Sequence, residues 1–295
     1  MSLPPDLIEA LVDQIGAVPR EVQVLRRGAT NMARCLIDGQ ACLIKWSTDL
    51  PLSGWPDRCT AEARDLALLA ASGTIRLPQV VAHAALDSAR PAFVVTEWIT
   101  TGGRNQWADE RLGAGLAALH RTTAATYGLD RHNYCGATPQ PNDQRHSWIA
   151  FYGEQRLGWQ RDLAVRNERM RSDRLARLER LIERLDQWID EWAVQPALLH
   201  GDLWGGNYLI DEHGAPVLID PAAYFGDREA ELAMCRLFGG FSSAFFAAYD
   251  EAWPPAPGRD DRIALYQLYH LLNHLNIFGE SYGAQVDQVM RRYVG

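Results

Sequence analysis

Three polar residues in the second half of the chain have the spacing of a phosphoryl-transfer site. Asp202 and Asn207 lie five positions apart in the sequence His-Gly-Asp-Leu-Trp-Gly-Gly-Asn, and Asp220 follows thirteen residues after Asn207. In the catalytic loop of kinases, an Asp receives the proton of the acceptor hydroxyl, and an Asn five residues on helps to hold magnesium. Two short apolar runs around a Gly-containing turn separate Asn207 from Asp220. This pattern predicts a hairpin that brings Asp220 beside Asn207 as a second metal ligand.

The basic residues are the second informative feature. The chain has 29 of them, and all are Arg except Lys45. Lys45 lies in the strand-like run Ala-Cys-Leu-Ile-Lys-Trp. An ammonium is a compact point charge and a guanidinium is a wide planar fork, so a single Lys among so many Arg indicates a function that Arg cannot perform. Pairing with the α- and β-phosphates of a nucleotide is such a function. An incidental surface lysine is the alternative.

The helix predicted over Cys59–Ala71 offers a partner for that lysine. Glu62 shares one helical face with two leucines, at positions i, i+4 and i+7. A carboxylate on an inward face needs a cation nearby, because an unpaired buried charge is very costly. We therefore predict an ion pair between Lys45 and Glu62. Asp65, at the edge of the same stripe, is the competing partner, and a solvated Glu62 is the other alternative.

A turn upstream of Lys45 fits the phosphate end of a nucleotide site. Gly28, Thr30 and Asn31 lie between two predicted strands, at residues 21–25 and 33–37. A loop at that place would cover the phosphates, as the Gly-rich loop of kinases does. With a single Gly, the segment fits an ordinary hairpin turn as well.

The apolar run that ends at Glu97, Trp98 and Ile99 fits the adenine end. A buried strand is predicted over residues 92–99, and the polar residues 100–105 follow it. A hinge between two lobes would lie there, and the backbone of Glu97–Ile99 would then hydrogen-bond the edge of an adenine ring. An edge strand followed by a loop is the alternative.

Taken together, these segments resemble the fructosamine kinase (ketosamine-3-kinase) family, within the wider group of aminoglycoside phosphotransferases and choline kinases. The resemblance runs through most of the chain. The general kinase-like fold requires only the Lys, Asp, Asn and Asp positions, whereas the segment Asn133–Asn142 and the loop Asp-Leu-Trp-Gly-Gly-Asn are narrower features of this family. Further matching segments are Glu154–Leu157, Asp220–Ala222, Arg228–Met234, Leu237–Phe241 and Tyr269–Asn276.

The resemblance implies transfer of the γ-phosphoryl group of ATP to a sugar hydroxyl of a ketosamine, an amine-linked sugar formed by glycation. Asp202 would be the catalytic base, Asn207 and Asp220 would hold Mg²⁺, and Lys45 would contact the phosphates. The implied partner is a small glycated amine or a glycated protein, and repair by deglycation is the implied role. Another small alcohol or an aminoglycoside as acceptor, or a non-catalytic nucleotide-binding scaffold, are the alternatives.

The chain departs from the family pattern at two places. The family often has a richer glycine segment, sometimes with Cys, where this chain has Gly28-Ala29-Thr30. Glu231 stands where the family more often has Asp. We expect the second change to be tolerated because the carboxylate remains.

Trp204, His270 and His274 are the candidates for contact with the substrate. Trp204 lies inside the catalytic loop, where an aromatic ring stacks on a sugar face or packs the loop down. His270 and His274 share a helical face with Asn273 by their i, i+3, i+4 spacing, and they either line a pocket or pack helices together. No third ligand stands at a diagnostic spacing, so a zinc site on this face is not expected. We expect His200 to orient the backbone of the loop.

The composition excludes several other classes of protein. A net charge of −8 argues against a nucleic-acid or anionic-membrane partner. No apolar run approaches the length of a membrane span, and no N-terminal signal pattern is evident. The five cysteines have no paired spacing, which indicates free thiols in a reducing compartment. A cytoplasmic location is therefore expected.

The order of the predicted elements indicates an α+β, two-lobed, protein-kinase-like fold. Residues 1–98 form the predicted N-terminal nucleotide-binding lobe, with an antiparallel sheet and one key helix. Residues 99–295 form the predicted larger lobe, mainly helical, for catalysis and substrate binding. Besides Cys59–Ala71, helices are predicted over Pro4–Ile15, Leu112–Arg121 and Arg174–Trp192.

Overall fold

A five-stranded antiparallel sheet forms the N-terminal part of the protein. The computed structural model describes residues 3–28 and 30–295. The strands run in the spatial order β1-β2-β3-β5-β4, and helix α2 connects β3 to β4. The elements are α1 (Pro5–Ile15), β1 (Arg20–Arg26), β2 (Asn31–Ile37), β3 (Gln40–Ser47), α2 (Arg58–Ala70), β4 (Val80–Ala84) and β5 (Ala92–Glu97).

The two faces of this sheet pack against different parts of the protein. Successive side chains of a strand point to opposite faces. In β3, Cys42, Ile44 and Trp46 therefore share the face that packs into the core under α1. Lys45 points to the other face, towards α2, where Cys59 and Ala63 pack against β5. The strand pattern thus places the single lysine between the sheet and the helix that carries Glu62.

The rest of the chain is mainly helical, with three two-stranded antiparallel ribbons that pair β6 with β7, β8 with β11, and β9 with β10. The β9–β10 pair is the hairpin predicted between Asn207 and Asp220. The elements are α3 (Gln106–His120), β6 (Asn133–Cys135), β7 (Thr138–Gln140), α4 (Trp148–Phe151), a π-helical segment (Tyr152–Gly158), α5 (Trp159–Arg166), α6 (Ser172–Ile182), β8 (Ala197–Leu199), β9 (Tyr208–Ile210), β10 (Pro216–Leu218), β11 (Tyr224–Gly226), α7 (Arg228–Leu237), α8 (Ser243–Ala252), α9 (Arg259–Phe278) and α10 (Gly283–Val294).

The helix predicted over Arg174–Trp192 is wrong in its second half. Helix α6 ends at Ile182, and two short 3₁₀ turns, Leu185–Gln187 and Glu191–Ala193, follow it. Leu185 is nevertheless buried in the same core as the leucines of α6, while Trp192 is 97% exposed. Apolar spacing did not reveal the end of the helix because Leu185 reaches the core from a 3₁₀ turn as well as it would from a helix.

The other predicted helices are present, with shifted ends. Helix α3 begins at Gln106, six residues before the predicted Leu112. The side chain of Asn105 accepts a hydrogen bond from the backbone N–H of Ala108 at 2.9 Å, and this N-cap explains the earlier start. The α+β class, with a sheet first and a mainly helical part after it, is confirmed. The division into lobes between residues 98 and 99 stays a prediction, although the last strand of the sheet ends at Glu97.

Helix α9 is the longest helix in the described part of the chain, and neither it nor any shorter one is apolar enough to cross a membrane.

Candidate active site

The loop between β8 and β9 carries Asp202 and Asn207. The side-chain amide of Asn207 donates to the backbone oxygen of Asp202 at 2.8 Å and to its carboxylate Oδ2 at 3.3 Å. Burial, and after it the charge of Asp220, raise the pKa of Asp202 to about 8. The predicted base and the predicted amide ligand are therefore in direct contact, and a second acid, Asp220, lies close enough to act on the base electrostatically.

Gly201 allows this loop to pass close to the segment that follows Asp220. Its φ is +87°, and a Cβ atom there would lie 1.9 Å from the backbone oxygen of Ala222. Only Gly adopts such a conformation without strain and without a clash. The Gly before the predicted base is thus required by the backbone itself.

His200 orients the loop, as the sequence predicts. Its Nε2–H donates to the backbone oxygen of Ile219 at 2.8 Å, and its Nδ1 accepts the backbone N–H of Asp202 at 3.4 Å. Burial lowers the pKa of His200, so the ring is neutral at physiological pH. The imidazole therefore ties the loop to the end of the β9–β10 hairpin.

Glu231 of α7 binds the backbone of the same loop. Its carboxylate accepts the backbone N–H groups of His200 and Gly201 at 3.0 and 2.6 Å, and the Nε2–H of His120 at 2.9 Å. Burial alone would raise the pKa of Glu231, but these hydrogen bonds hold it below its ordinary value. The carboxylate expected to be tolerated at this position thus has a definite function: it fixes the backbone that presents Asp202.

Asp220 lies beside Asn207 because the β9–β10 hairpin returns the chain. The backbone N–H of Ile219 donates to the oxygen of Asn207 at 3.0 Å. Asp220 has a φ of +54°, in the left-handed region that residues other than Gly rarely adopt. Such strain costs on the order of 1–3 kcal/mol and is concentrated at functional sites. The structure therefore brings the two predicted metal ligands together, and their metal-binding function stays a prediction.

Lys45 connects the two parts of the site. Its ammonium lies 2.6 Å from the carboxylate of Glu62, which is the predicted ion pair, and it also contacts the carboxylate of Asp220. Burial alone would lower the pKa of Lys45, but the charges of Glu62 and Asp220 raise it above its ordinary value. Lys45 is 5% exposed, so it is not an incidental surface lysine.

Asp65, the competing partner for Lys45, has other contacts. Its carboxylate accepts hydrogen bonds from the amide of Asn133 at 2.6 Å, the backbone N–H of Ala223 at 3.1 Å and the guanidinium of Arg131 at 3.2 Å. Asp65 therefore fixes the distance between α2 and the chain after Asp220, and the Lys45–Glu62 pair forms without competition from it.

The segment Asn133–Asn142 builds a buried polar network around this contact. The amide of Gln140 donates to Asn133 at 2.9 Å and to the backbone oxygen of Ala222 at 3.0 Å. Asn142 also donates to Asn133, at 2.8 Å, and itself accepts from Arg156 at 2.8 Å. The motif that carries the family resemblance therefore fixes the backbone that follows Asp220.

The turn predicted to cover phosphates lies at the edge of the site. Gly28, Thr30 and Asn31 are described, and Ala29 between them lies outside the described residues. The backbone N–H of Gly28 donates to the side chain of Asn31 at 3.4 Å. In the β2–β3 register Met32 is opposite Lys45, so the turn stands beside the lysine at the same end of the sheet. Contact with phosphates stays a prediction.

Two of the three backbone N–H groups in the predicted hinge are already used. Glu97 donates to the oxygen of Gln79 at 2.9 Å, and Trp98 donates to the oxygen of Ala41 at 3.0 Å. Within the described residues, no hydrogen bond engages the N–H of Ile99. If this segment binds adenine as predicted, the backbone N–H of Ile99 is therefore the donor.

The three candidate substrate residues occupy different surroundings. The ring of Trp204 lies over Gly206, where a Cβ atom would be 2.3 Å from it, and 42% of Trp204 remains exposed. His274 packs against Phe238 and Tyr282, with ring centroids 4.6 and 4.9 Å apart. His270 is buried beside the predicted base.

Cys135 is a neighbour of Asp202 that sequence reasoning did not single out. One ligand atom each of Cys135, Asp202 and His270 lie within 4.8 Å of one another. Burial lowers the pKa of His270 to about 3, so its ring is neutral. The three residues come from β6, the catalytic loop and α9, and no spacing along the chain relates them.

An aromatic cluster near β6 was also missed. The ring of Trp55 stacks on His132 and on Trp159, with centroids 4.3 and 5.9 Å apart, and Tyr134 meets it edge-on at 5.9 Å. Trp55 lies in the loop before α2 and Trp159 begins α5, so only the tertiary fold brings them together.

The fold and its cluster of acids, amide and lysine define a phosphotransferase with a kinase-like fold. A family model described as fructosamine kinase matches residues 9–295, and the chain belongs to that family. It is 38% identical to a probable ketoamine kinase of Synechocystis, over 98% of this chain and 96% of the relative. It is 35% identical to a chloroplastic protein-ribulosamine 3-kinase of Arabidopsis thaliana, over 81% of this chain and 73% of the relative. The crystal structure of a putative fructosamine-3-kinase from Thermobifida fusca superimposes with a TM-score of 0.84 at 32% identity and covers 96% of both chains.

Proposed function

We propose that the protein is an ATP-dependent kinase that phosphorylates a sugar hydroxyl of a ketosamine, of the fructosamine or ribulosamine type. The observation that carries the proposal is the contact of Lys45 with both Glu62 and Asp220, next to Asp202, in a chain that matches the fructosamine kinase family from residue 9 to its last residue. The names of the relatives, ketoamine kinase and protein-ribulosamine 3-kinase, favour this class of acceptor.

In this proposal Asp202 is the base in its ionised form, which a cation bound at Asp220 would favour, because the charge of Asp220 is one cause of the raised pKa of Asp202. The acceptor hydroxyl donates a hydrogen bond to its carboxylate, and the proton is transferred as the new P–O bond forms. Asn207 and Glu231 prevent the base from rotating away, Asn207 through its contact with the carboxylate and Glu231 through the loop backbone. Positioning of this kind supplies much of the rate in phosphoryl transfer.

The residues present fit a divalent cation. Carboxylate and amide oxygens are the ligands that Mg²⁺ takes in nucleotide sites. The nitrogen of the Asn207 amide already donates to Asp202, so its oxygen is left to face a metal, and Asp220 offers a carboxylate that is 46% exposed. When bound, magnesium would neutralise charge on the phosphates.

Lys45 would change one partner when the nucleotide binds. In the proposed complex its ammonium moves from Asp220 to the α- and β-phosphates, and Asp220 turns to the metal. Glu62 stays paired with Lys45 in both states and keeps the ammonium oriented. Two observations support this change of partner: the short distance from Lys45 to Glu62, and the exposure of the Asp220 carboxylate.

The test is ATP consumption by the purified protein with magnesium and a panel of acceptors: a fructosamine, a ribulosamine, an aminoglycoside and choline. We expect turnover with a ketosamine, and loss of turnover but not of ATP binding in Asp202→Asn. Asp186→Asn, an exposed Asp in a 3₁₀ turn, is the matched control and should behave as wild type. Turnover with an aminoglycoside or choline alone would keep the mechanism and refute the acceptor, and full activity of Asp202→Asn would refute the base.

A further inference from the structure

A second group of possible metal ligands lies next to the predicted magnesium site and differs from it in chemistry. Cys135, Asp202 and His270 offer one sulfur, one oxygen and one nitrogen atom, all within 4.8 Å of one another. Asn207 and Asp220, by contrast, offer oxygen alone. The group is assembled from β6, the catalytic loop and α9.

His270 has a ring nitrogen that no group in the described part of the chain uses. The residue is 5% exposed, and its Nδ1 atom is buried with no hydrogen-bond partner among the described residues. A buried polar atom without a partner costs about 1–3 kcal/mol, and nearly all such atoms in proteins are paired. A ligand beside this ring would remove that cost.

Cys135 is placed to offer its sulfur to a metal, although burial raises the pKa of the free thiol well above its ordinary value. Its sulfur is buried and accepts a hydrogen bond from the side-chain amide of Asn273 at 3.5 Å. Hydrogen bonds of this kind from residues behind a ligand orient it and adjust its strength as a donor. Asn273 lies on the same helix as His270, one turn along, so α9 supplies both a ligand and the support for another.

Sulfur, nitrogen and oxygen ligands together select the metal. Zinc binds Cys at about 2.3 Å and His or a carboxylate at about 2.0–2.2 Å, and three protein ligands leave a fourth position for water. At those bond lengths the ligand atoms of a tetrahedral site lie roughly 3.5 Å apart, so small side-chain rotations suffice here. Magnesium prefers oxygen and would not compete for a thiolate.

We propose that Cys135, Asp202 and His270 form an inhibitory site for zinc or a similar borderline divalent cation. The thiol of Cys135 loses its proton to solvent as the sulfur–metal bond forms, and the metal gives up water molecules to the three side chains. Asp202 cannot then accept the hydrogen of an acceptor hydroxyl. The inhibition rests on the proposed kinase function, whereas metal binding does not.

Binding is tested with cobalt(II), a spectroscopic substitute for zinc. We expect wild-type protein with saturating magnesium to show a thiolate-to-cobalt charge-transfer band that added zinc abolishes. The band should disappear in Cys135→Ser and weaken in His270→Gln. Cys42→Ser is the control, because Cys42 packs on the opposite face of the sheet from Lys45, and it should keep the band. A wild-type protein without the band, or a band that persists in Cys135→Ser, overturns the proposal.

Inhibition is tested by titrating zinc into the assay at fixed high magnesium. The loss of one protein ligand should raise the zinc concentration for half-inhibition in Cys135→Ser by more than the roughly 10- to 100-fold typical of a lost outer-shell partner. Each variant is compared with its own rate without zinc. Equal inhibition of wild type and Cys135→Ser, relieved by more magnesium, would place the zinc at Asn207 and Asp220 and overturn the inhibitory site. If no acceptor is turned over at all, the proposed function fails, and the cobalt spectra still decide the metal site.

Discussion

Asn133 joins helix α2 to the chain after Asp220 through a single buried amide. It donates to the carboxylate of Asp65 at 2.6 Å and to the backbone oxygen of Ala223 at 2.8 Å. Glu62 lies on the same helix as Asp65, and Asp220 lies three residues before Ala223. Asn133 therefore helps to set the distance between the two acidic partners of Lys45 without touching either of them, alongside the direct hydrogen bond from the backbone N–H of Ala223 to Asp65.

The first prediction concerns that amide. Asn133→Ala removes a buried donor from both acceptors, so the free energy of unfolding should fall by about 1–3 kcal/mol or more. The affinity for ATP should fall as well, because Glu62 and Asp220 lose their fixed separation. Denaturant unfolding and nucleotide titration measure the two effects. Asn167→Ala, which removes one exposed hydrogen bond of 3.4 Å, is the control, and equal losses in both variants would show that Asn133 has no special role.

The second prediction concerns the single lysine. Lys45→Arg keeps the charge, but the guanidinium is too wide for a buried position between Glu62 and Asp220. We expect kcat/KM for ATP to fall by roughly 100-fold, the scale of removing one fixed charge-stabilising donor. Steady-state kinetics with varied ATP measure it. An Arg184→Lys variant, changed on the exposed surface, should be unaffected. Wild-type kinetics in Lys45→Arg would show that any cation serves at this position.

The third prediction concerns Glu231. Glu231→Gln replaces one acceptor oxygen by an NH₂ group, which would face N–H donors from the catalytic loop or from His120. One donor is then left buried and unpaired, at a cost of about 1–3 kcal/mol. We expect kcat to fall with little change in KM for ATP, because the loop carries Asp202 and not Lys45. Glu231→Asp keeps the carboxylate and should retain more activity than Glu231→Gln. The reverse order of these two variants would argue against a backbone-holding function.

The fourth prediction concerns acid stability. Arg174 is fully buried and donates to Asp287 at 2.8 and 3.0 Å, and these hydrogen bonds hold the pKa of Asp287 below its ordinary value despite partial burial. A depressed pKa stabilises the fold above the unfolded value of about 3.9 and ceases to do so as pH falls through the folded value. Asp287→Asn should therefore lower the free energy of unfolding by about 1–3 kcal/mol at pH near 6, because it leaves the buried guanidinium with Glu280 as its remaining carboxylate partner.

The difference between wild type and Asp287→Asn should shrink as pH falls below about 4, where the wild-type carboxylate also becomes neutral. Denaturant unfolding at a series of pH values measures this. Asp186→Asn, at an exposed position, should stay within about 0.5 kcal/mol of wild type throughout. A difference that does not depend on pH would show that packing, and not charge, accounts for the effect of Asp287.

The residues to which the proposed chemistry is assigned could be picked out because their spacing is local or their type is rare. Asp202 and Asn207 share one loop, Asp220 follows a hairpin, and Lys45 is conspicuous among 28 arginines. The Lys45–Glu62 pair could be inferred from the periods of the two elements, which are two residues in the strand and 3.6 in the helix. Both periods place the side chain concerned on an inward face. Each of these signals is contained in a short stretch of chain.

The supporting residues could not be predicted, because they meet only in the folded chain. Cys135 lies near Asp202 through the packing of β6 against the loop, and Trp55 stacks on Trp159 across two distant elements. The partners of Asp65 could not be predicted either. The helix pattern places Asp65 near the inward face, but it does not show which residues lie there. The end of α6 was missed for a related reason: burial of Leu185 does not require a helix.

The burial of Lys45 has a consequence beyond the binding of phosphate. Reducing sugars condense with exposed primary amines, and the chain has one ε-amino group, which is enclosed between Glu62 and Asp220. Once folded, the protein presents no lysine on its surface for a sugar to modify. Under the proposed function, the folded enzyme would therefore not form its own substrate, a ketosamine, on a lysine side chain.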